Sequence, residues 1–197
     1  MNSTTQKTAL LLLDLQNEMV DIKGKVGGGG LAKVVAERQV LENAAHALAA
    51  ARNGGIDVVH VRLGFRADYA DALSVAPRVT KMKENKAAIA GTWGTEFPSV
   101  LAPLEHELII TKQCVNPFFN TGLMSWLLHH GIKKLVIGGV VTNLVVEMTA
   151  RAADDAGFAL TVLEDVCAAP NPAWHAFSVD NILPLFATVS TTRSVFG

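Results

Sequence analysis

Six short apolar segments recur along the chain, and they constrain its fold more than any other feature. They cover residues 9–13, 58–63, 108–111, 135–138, 160–163 and 187–190. Each is rich in valine, isoleucine or leucine, and none alternates regularly between apolar and polar residues. Because strands that are buried on both faces have this pattern, the segments predict a parallel sheet enclosed between helices.

Helical patterns lie between several of these strands. An apolar stripe from Leu31 to Leu48 predicts a helix that Gly54-Gly55 ends. Two more helices are predicted over about 122–130 and 144–156, and a fourth begins at Asn171-Pro172, a capping residue followed by proline. The repeated strand–helix–strand order predicts a doubly wound α/β sheet, whose ligands bind at the carboxyl ends of the strands.

Two stretches interrupt this alternation. Residues 20–30 contain four consecutive glycines at 27–30 and predict a flexible loop outside any phosphate-binding frame. Residues 65–106 form a long insertion of the kind that often serves as a lid or a subunit contact. No linker or internal repeat divides the 197 residues, so we expect a single domain over 1–197.

The composition argues against several functional classes. The net charge is −1 and the basic residues are scattered, which argues against a nucleic-acid partner, and the local cluster Lys81, Lys83 and Lys86 reads as a solvated loop. No apolar run approaches the ~18 residues that span a bilayer, and the first residues lack the pattern of a secretion signal. Two cysteines, Cys114 and Cys167, fit a reducing compartment. We therefore expect a cytoplasmic protein that acts on a small molecule.

Three features that could carry chemistry fall at predicted strand ends. Asp14 could be a general acid or base, or else a helix cap. Lys112 could hold a neighbouring carboxylate ionised, or else face solvent. The turn over residues 138–143 could present helix N–H groups to an oxyanion or carboxylate, or else be an ordinary turn capped by Asn143. Their convergence on one sheet edge favours the functional interpretation of all three.

The same segments resemble motifs of the isochorismatase-like hydrolases. Residues 9–17, which read ALLLLDLQN, are similar to the first-strand motif of that family. Thr111-Lys112 with the sequence NPFFNTGL after it resembles the family's lysine motif, and GVVTNLVVEMTARAA over 139–153 resembles its nucleophile motif. The matches follow one another in order over nearly the whole chain, together with GTWG at 91–94 and LED at 163–165.

This resemblance implies a fold, an assembly and a site. The fold would be a three-layer, Rossmann-like arrangement with a six-stranded parallel sheet, and the assembly a dimer or larger homo-oligomer. Asp14 would be the base and Lys112 the orienting cation, and a non-proline cis peptide near Val141-Thr142 would help to form an oxyanion hole. We expect Gln16, Trp93, Phe118, Val141 and Thr142 to bind substrate, with Phe119 as a further wall.

The chain departs from the family pattern at Val145, which occupies the position of the usual nucleophilic cysteine. A valine side chain cannot attack a carbonyl group. The favoured interpretation is an isochorismatase-type ether hydrolase, in which Asp14 donates a proton and water attacks. The alternatives are an amidase-like scaffold that binds substrate without turning it over, and a deliberate replacement of a native cysteine.

Other candidate groups are assigned lesser roles. Cys114 could substitute as a nucleophile, but the expected oxyanion hole lies on a different strand, and Cys167 reads as a small buried hydrophobe. His60 lies within an apolar strand and is expected to be a packed core residue, and His175 is treated as structural at the start of the last helix. We therefore expect neither a metal site nor a cofactor.

Overall fold

A single parallel sheet of six strands organises the protein, and the computed structural model describes it over residues 7–197. The strand order is β3-β2-β1-β4-β5-β6. The strands are β1 (Thr8–Leu13), β2 (Asp57–Leu63), β3 (Leu108–Lys112), β4 (Lys134–Gly139), β5 (Ala159–Leu163) and β6 (Thr188–Ser190). Each apolar segment singled out in the sequence forms one of these strands, which confirms the predicted α/β fold.

The helices fill the connections between the strands. They are α1 (Asn17–Val20), α2 (Leu31–Glu37), α3 (Val40–Asn53), α4 (Pro77–Glu84), α5 (Leu123–His129), α6 (Glu147–Asp155), α7 (Pro172–Phe177) and α8 (Thr192–Phe196). The stripe from Leu31 to Leu48 is divided between α2 and α3, because Gln39 adopts a left-handed conformation with φ 54°. Within residues 7–197, no helix is both long and apolar enough to span a membrane.

Two hydrophobic clusters cover the opposite faces of the sheet. β1 contributes alternately to them, with Leu10 and Leu12 in one cluster and Leu11 and Leu13 in the other. The first cluster includes residues of α2 and α3, and the second includes residues of α5 and α6. The central strand is therefore buried on both sides, as its unbroken apolar sequence predicts.

The two interrupting stretches are more regular than the sequence suggested. The glycine run was expected to be a flexible loop, but Gly27–Gly29 form a turn of 3-10 helix. A Cβ atom on Gly27 would lie 2.4 Å from the carbonyl oxygen of Asp21, so close backbone packing explains the glycine there. In the long insertion, Lys81 and Lys83 lie on α4 and not in a loop.

The helix α8, which follows β6, was not predicted from the sequence. The helix that contains His175, α7, is therefore not the last helix of the chain.

The order in which strands are added to the sheet reverses at β1, which has β2 on one side and β4 on the other. Gly139 ends β4 with φ 152°, and a Cβ atom there would lie only 2.0 Å from the carbonyl oxygen of Leu13. The glycine therefore permits the ends of β1 and β4 to approach closely. In doubly wound folds, such a reversal of strand order opens a crevice at the carboxyl ends of the strands.

Candidate active site

Asp14 and Lys112 form a buried ion pair at the carboxyl edge of the sheet. Asp14 follows β1 in a left-handed conformation (φ 55°), and Lys112 is the last residue of β3. Because β2 lies between these strands, the long lysine side chain must reach across a gap of about 10 Å between their backbones. Lys112 Nζ donates to Asp14 Oδ2 at 2.8 Å and to the carbonyl oxygen of Cys114 at 3.0 Å.

The environment of this pair favours a carboxyl group that can hold a proton. Asp14 is 5 % exposed and Lys112 is 1 % exposed. Burial raises the pKa of Asp14 above its usual range, and the attraction and hydrogen bond of Lys112 only partly oppose that effect. Asp14 Oδ1 is buried and has no hydrogen-bond partner within residues 7–197. The carboxyl group therefore has one oxygen held by lysine and one available for proton transfer.

The turn after β4 forms the second side of the crevice. A cis peptide bond joins Val140 to Val141, one peptide before the position that the family resemblance implied. Thr142 begins a π-helical turn (Thr142–Val146) that leads into α6, and its N–H donates to the carbonyl oxygen of Ala168. The first N–H group of this turn is therefore occupied within the fold and is not directed at a ligand.

A cavity of about 230 Å³ lies between these two sides. Asp14, Lys112, Arg78 and Cys114 are its polar and thiol-bearing lining residues. Its apolar walls include Met19, Leu63, Val140, Val141, Leu144 and Val145. A small apolar cavity with few convergent polar groups is the usual form of a small-molecule site. Val145 is 2 % exposed and presents a hydrocarbon surface where a thiol would be needed for covalent chemistry.

Four residues expected to bind substrate lie outside the lining of this cavity. Gln16 is fully buried, and its side-chain amide bonds to the backbone of Leu63 and to the carbonyl oxygen of Gly94. This amide joins β2 to the insertion and leaves no free group for a ligand. Trp93 is 44 % exposed and lines a separate surface pocket with Glu18.

The other two are Phe118 and Thr142. Phe118 packs against the hydrophobic cluster beneath α5 and α6. The Thr142 side chain is fully buried and shares a 2.9 Å hydrogen bond with His175 Nδ1. His175 Nε2 lies 3.7 Å from Glu164 Oε2, which Arg38 also contacts at 2.7 Å. These polar groups hold the turn after β4 in place on the side that does not line the cavity.

Arg78 is the charged residue of the lining that sequence reasoning missed. It lies in the first turn of α4, where Pro77 at the start of the helix is a recognisable beginning signal. The sequence therefore held a signal for the helix. It held none for the path of the insertion, which brings α4 over the carboxyl edge of the sheet.

The remaining candidates lie away from the cavity. His60 is fully buried, and its Nε2 lies 3.0 Å from Glu107 Oε2, beside the ring of Phe97. Burial lowers the pKa of His60, which makes it a neutral core residue near pH 7. Cys167 is fully buried, and burial raises the pKa of its thiol to about 12. In the described part of the chain, no three potential metal ligands cluster together.

The protein is an α/β protein with a doubly wound sheet and an acid–lysine pair at its central crevice, and sequence comparison identifies its family. The chain belongs to the isochorismatase family, since the model of the isochorismatase domain matches residues 8–194. Members of this family are hydrolases. The family resemblance inferred from the motifs is thereby confirmed.

Individual relatives agree with this assignment. The ureidoacrylate amidohydrolase RutB of Acinetobacter baylyi is 31% identical over 202 residues, which cover 96% of this chain and 82% of that protein. The isochorismatase family protein YecD of Escherichia coli O157:H7 is 32% identical, covering 96% and 95% of the two chains. The crystal structure of an isochorismatase hydrolase from Oleispira antarctica superposes with a TM-score of 0.77 at 28% identity, covering 98% of each chain.

Proposed function

We propose that this protein hydrolyses a small, carboxylate-bearing metabolite without a covalent enzyme intermediate, using Asp14 as its acid–base group. The observation that carries the proposal is the buried Asp14–Lys112 pair facing a cavity in which Val145 takes the nucleophile's place. A protonated carboxyl group with a free oxygen can donate a proton, whereas valine cannot form an acyl–enzyme bond.

The chemistry that fits these groups best is hydrolysis of an enol ether. Asp14 transfers its proton to the enol carbon, and the adjacent ether carbon becomes an oxocarbenium ion. Water adds to that carbon and returns a proton to the Asp14 carboxylate, and the resulting hemiketal breaks into a ketone and an alcohol. Lys112 Nζ, 2.8 Å away, stabilises the Asp14 carboxylate between the two proton transfers.

A second candidate is an amidase scaffold whose nucleophile is absent. The names of the relatives support it, because ureidoacrylate amidohydrolase denotes an enzyme that cleaves a carbon–nitrogen bond. They favour an amide or carbamoyl compound over an ether as the ligand of this cavity. On this alternative, the pair and the apolar walls still bind the substrate, but the side chain of Val145 prevents its turnover.

Turnover assays with three proteins separate the two candidates. The parent, Asp14→Asn and Val145→Cys are each given isochorismate and a panel of small amides. Asparagine tolerates the left-handed backbone at position 14 better than alanine does, so Asp14→Asn removes the acid without adding backbone strain. Cleavage of the ether by the parent, lost in Asp14→Asn, supports acid catalysis. A silent parent together with a Val145→Cys variant that gains amidase activity supports the second candidate and overturns the first.

A further inference from the structure

A second cavity of about 250 Å³ adjoins the one that Asp14 lines, and we call it the outer chamber. Its lining includes Lys25, Val26, Arg78, Lys81, Met82 and Asn85. Three of these residues, Val26, Arg78 and Met82, also line the inner cavity. The two cavities therefore share one wall, and Arg78 belongs to both.

The charges of the outer chamber are all of one sign. Lys25, Arg78 and Lys81 are cationic, and no carboxylate is among the described residues that line it. Lys25 Nζ donates to the carbonyl oxygen of Lys86, which fixes the ammonium group without neutralising it. Cationic walls at the mouth of a low-dielectric cleft concentrate anions there.

Arg78 distinguishes this chamber from an ordinary solvated basic surface. It is half-buried against the apolar walls of both cavities, and within residues 7–197 its guanidinium has no hydrogen-bond or ion-pair partner. Arginine in such a setting is normally paired with a carboxylate or phosphate. The unpaired guanidinium is therefore able to bind an anionic group from outside the chain.

We infer that the outer chamber is the carboxylate subsite of the active site, in which Arg78 binds a carboxylate at the end of the substrate remote from the cleaved bond. The inference rests on the proposed function for the position of the reacting bond, near Asp14. A planar carboxylate matches the fork of one guanidinium, and Lys25 and Lys81 add attraction without directed contacts. The apolar part of the substrate would lie between Val26 and Met82, facing Val145.

Hexanoate and its neutral analogue hexanamide test the subsite without any need for turnover. Their dissociation constants are measured by calorimetric titration at low ionic strength against the parent, Arg78→Gln, Arg78→Lys and Lys81→Gln. Lys83→Gln is the matched control, because Lys83 lies on the same helix but lines neither cavity. Asp14→Asn is included so that binding is read in a protein without the proposed acid.

Hexanoate is expected to bind the parent and Asp14→Asn more tightly than hexanamide does. Arg78→Gln is expected to weaken hexanoate binding about 10- to 100-fold, which is the usual effect of losing a charge-assisted hydrogen bond. Arg78→Lys should retain part of the affinity, Lys81→Gln should lose a few-fold, and Lys83→Gln should match the parent. Equal affinity of the parent for hexanoate and hexanamide, or an unchanged affinity of Arg78→Gln for hexanoate, would overturn the inference. Inorganic phosphate that binds the parent more tightly than hexanoate, and loses that affinity in Arg78→Gln, would overturn it as well.

Alkylation of Cys114 by iodoacetamide shows whether the ligand reaches the inner cavity. Cys114 lines that cavity and is half-buried, whereas Cys167 is fully buried. Hexanoate should slow alkylation in the parent but not, at the same concentration, in Arg78→Gln. Protection that persists in Arg78→Gln would contradict the inference. If the subsite behaves as expected while no substrate is turned over, the proposed function fails and the subsite stands.

Discussion

At the scale of single residues, a contribution to stability does not explain the buried Asp14–Lys112 pair. Both side chains are almost fully buried, and removing two charges from water costs about as much as their attraction returns. Neither residue is needed to fill space in the core, since aliphatic residues of similar volume would do so. The burial of the pair therefore supports the acid–base role that we propose for Asp14.

Replacing Lys112 alone should be costly, and replacing both members should not. Lys112→Met leaves the Asp14 carboxyl group buried without its partner, and we expect a loss of about 3–5 kcal/mol in the free energy of unfolding. In Asp14→Asn/Lys112→Met, most of that loss should be recovered. Urea denaturation of the parent, both single variants and the double variant completes the cycle. Additive effects of the two substitutions would contradict the coupling.

The protonation of Asp14 sets the expected dependence of activity on pH. Its pKa is raised in the folded protein, chiefly by burial, so the protonated acid persists to a higher pH than for an exposed aspartate. Activity that requires this acid should be retained on the acidic side and lost as pH rises through the raised pKa. The measurement is kcat/KM across pH for the favoured ether substrate. A profile in which activity rises on deprotonation of a group with this behaviour would indicate that Asp14 acts as a base.

At the scale of secondary-structure elements, the close approach of β1 and β4 depends on Gly139. An added Cβ atom would lie 2.0 Å from the carbonyl oxygen of Leu13, and φ is 152°. Gly139→Ala should therefore destabilise the protein by about 3 kcal/mol or more. Gly131→Ala is the matched control, because Gly131 also has a positive φ but nothing within 4 Å of the added atom, so it should cost about 1–2 kcal/mol. Equal losses in the two variants would show that steric contact at β4 is unimportant.

Glu107 immediately precedes β3 and links that strand to α3 and β2. It contacts Arg52 of α3 and His60 of β2. It accepts two hydrogen bonds from Arg52 at 2.8 Å, one from the N–H of Leu104 at 2.9 Å and one from His60 at 3.0 Å. Burial raises the pKa of Glu107, but these bonds outweigh it and lower the pKa from 4.5 to about 2.

The depressed pKa of Glu107 predicts a loss of stability in acid. A carboxylate whose pKa is lowered by folding stabilises the protein fully above pH 4.5, and that contribution disappears as pH falls towards 2. Glu107→Gln should be less stable at pH 7 and should show a shallower decline between these values. Unfolding free energies at several pH values test this expectation. Parallel curves for the parent and the variant would assign the acid sensitivity to other carboxylates.

Sequence patterns revealed the elements better than they revealed the walls of the site. The strands, the ion pair and the turn after β4 follow from local features, because the ends of parallel strands must meet at one edge of the sheet. Arg78 and the burial of Gln16 depend on how the insertion folds back, and no periodicity encodes that path. Trp93 and Phe118 are aromatic residues whose sequence environment is the same whether they face a ligand, solvent or the core.

At the scale of the whole molecule, β1 makes the two hydrophobic clusters parts of one structure. Its side chains alternate between them, so neither cluster can form without the strand that completes the other. The single domain, the homo-oligomer and the cytoplasmic location expected from the sequence remain predictions. The shared strand, however, has a direct thermodynamic consequence.

Shortening a side chain on either face of β1 should destabilise the protein in one and the same unfolding transition. Leu10→Ala and Leu11→Ala remove fully buried side chains from different clusters, and each should cost about 2–5 kcal/mol. Ile22→Ala, at a residue that is 67% exposed, should change stability by less than about 0.5 kcal/mol. Circular dichroism and tryptophan fluorescence should report coincident transitions in all three variants. Separate transitions would mean that the two faces unfold independently.

Because the Lys112 side chain crosses β2, the rate at which its amine reacts also depends on how often its contacts with Asp14 and Cys114 break. An acylating reagent needs an exposed amine, and Nζ of Lys112 is held by Asp14 and Cys114 only while β1, β2 and β3 are assembled. Lys33, whose side chain is 77% exposed, reacts in the closed state and supplies the reference rate. The ratio of the two acylation rates, read by mass spectrometry, then reports how often the Lys112 amine is released from Asp14 and Cys114, by opening of the sheet or by access through the cavity.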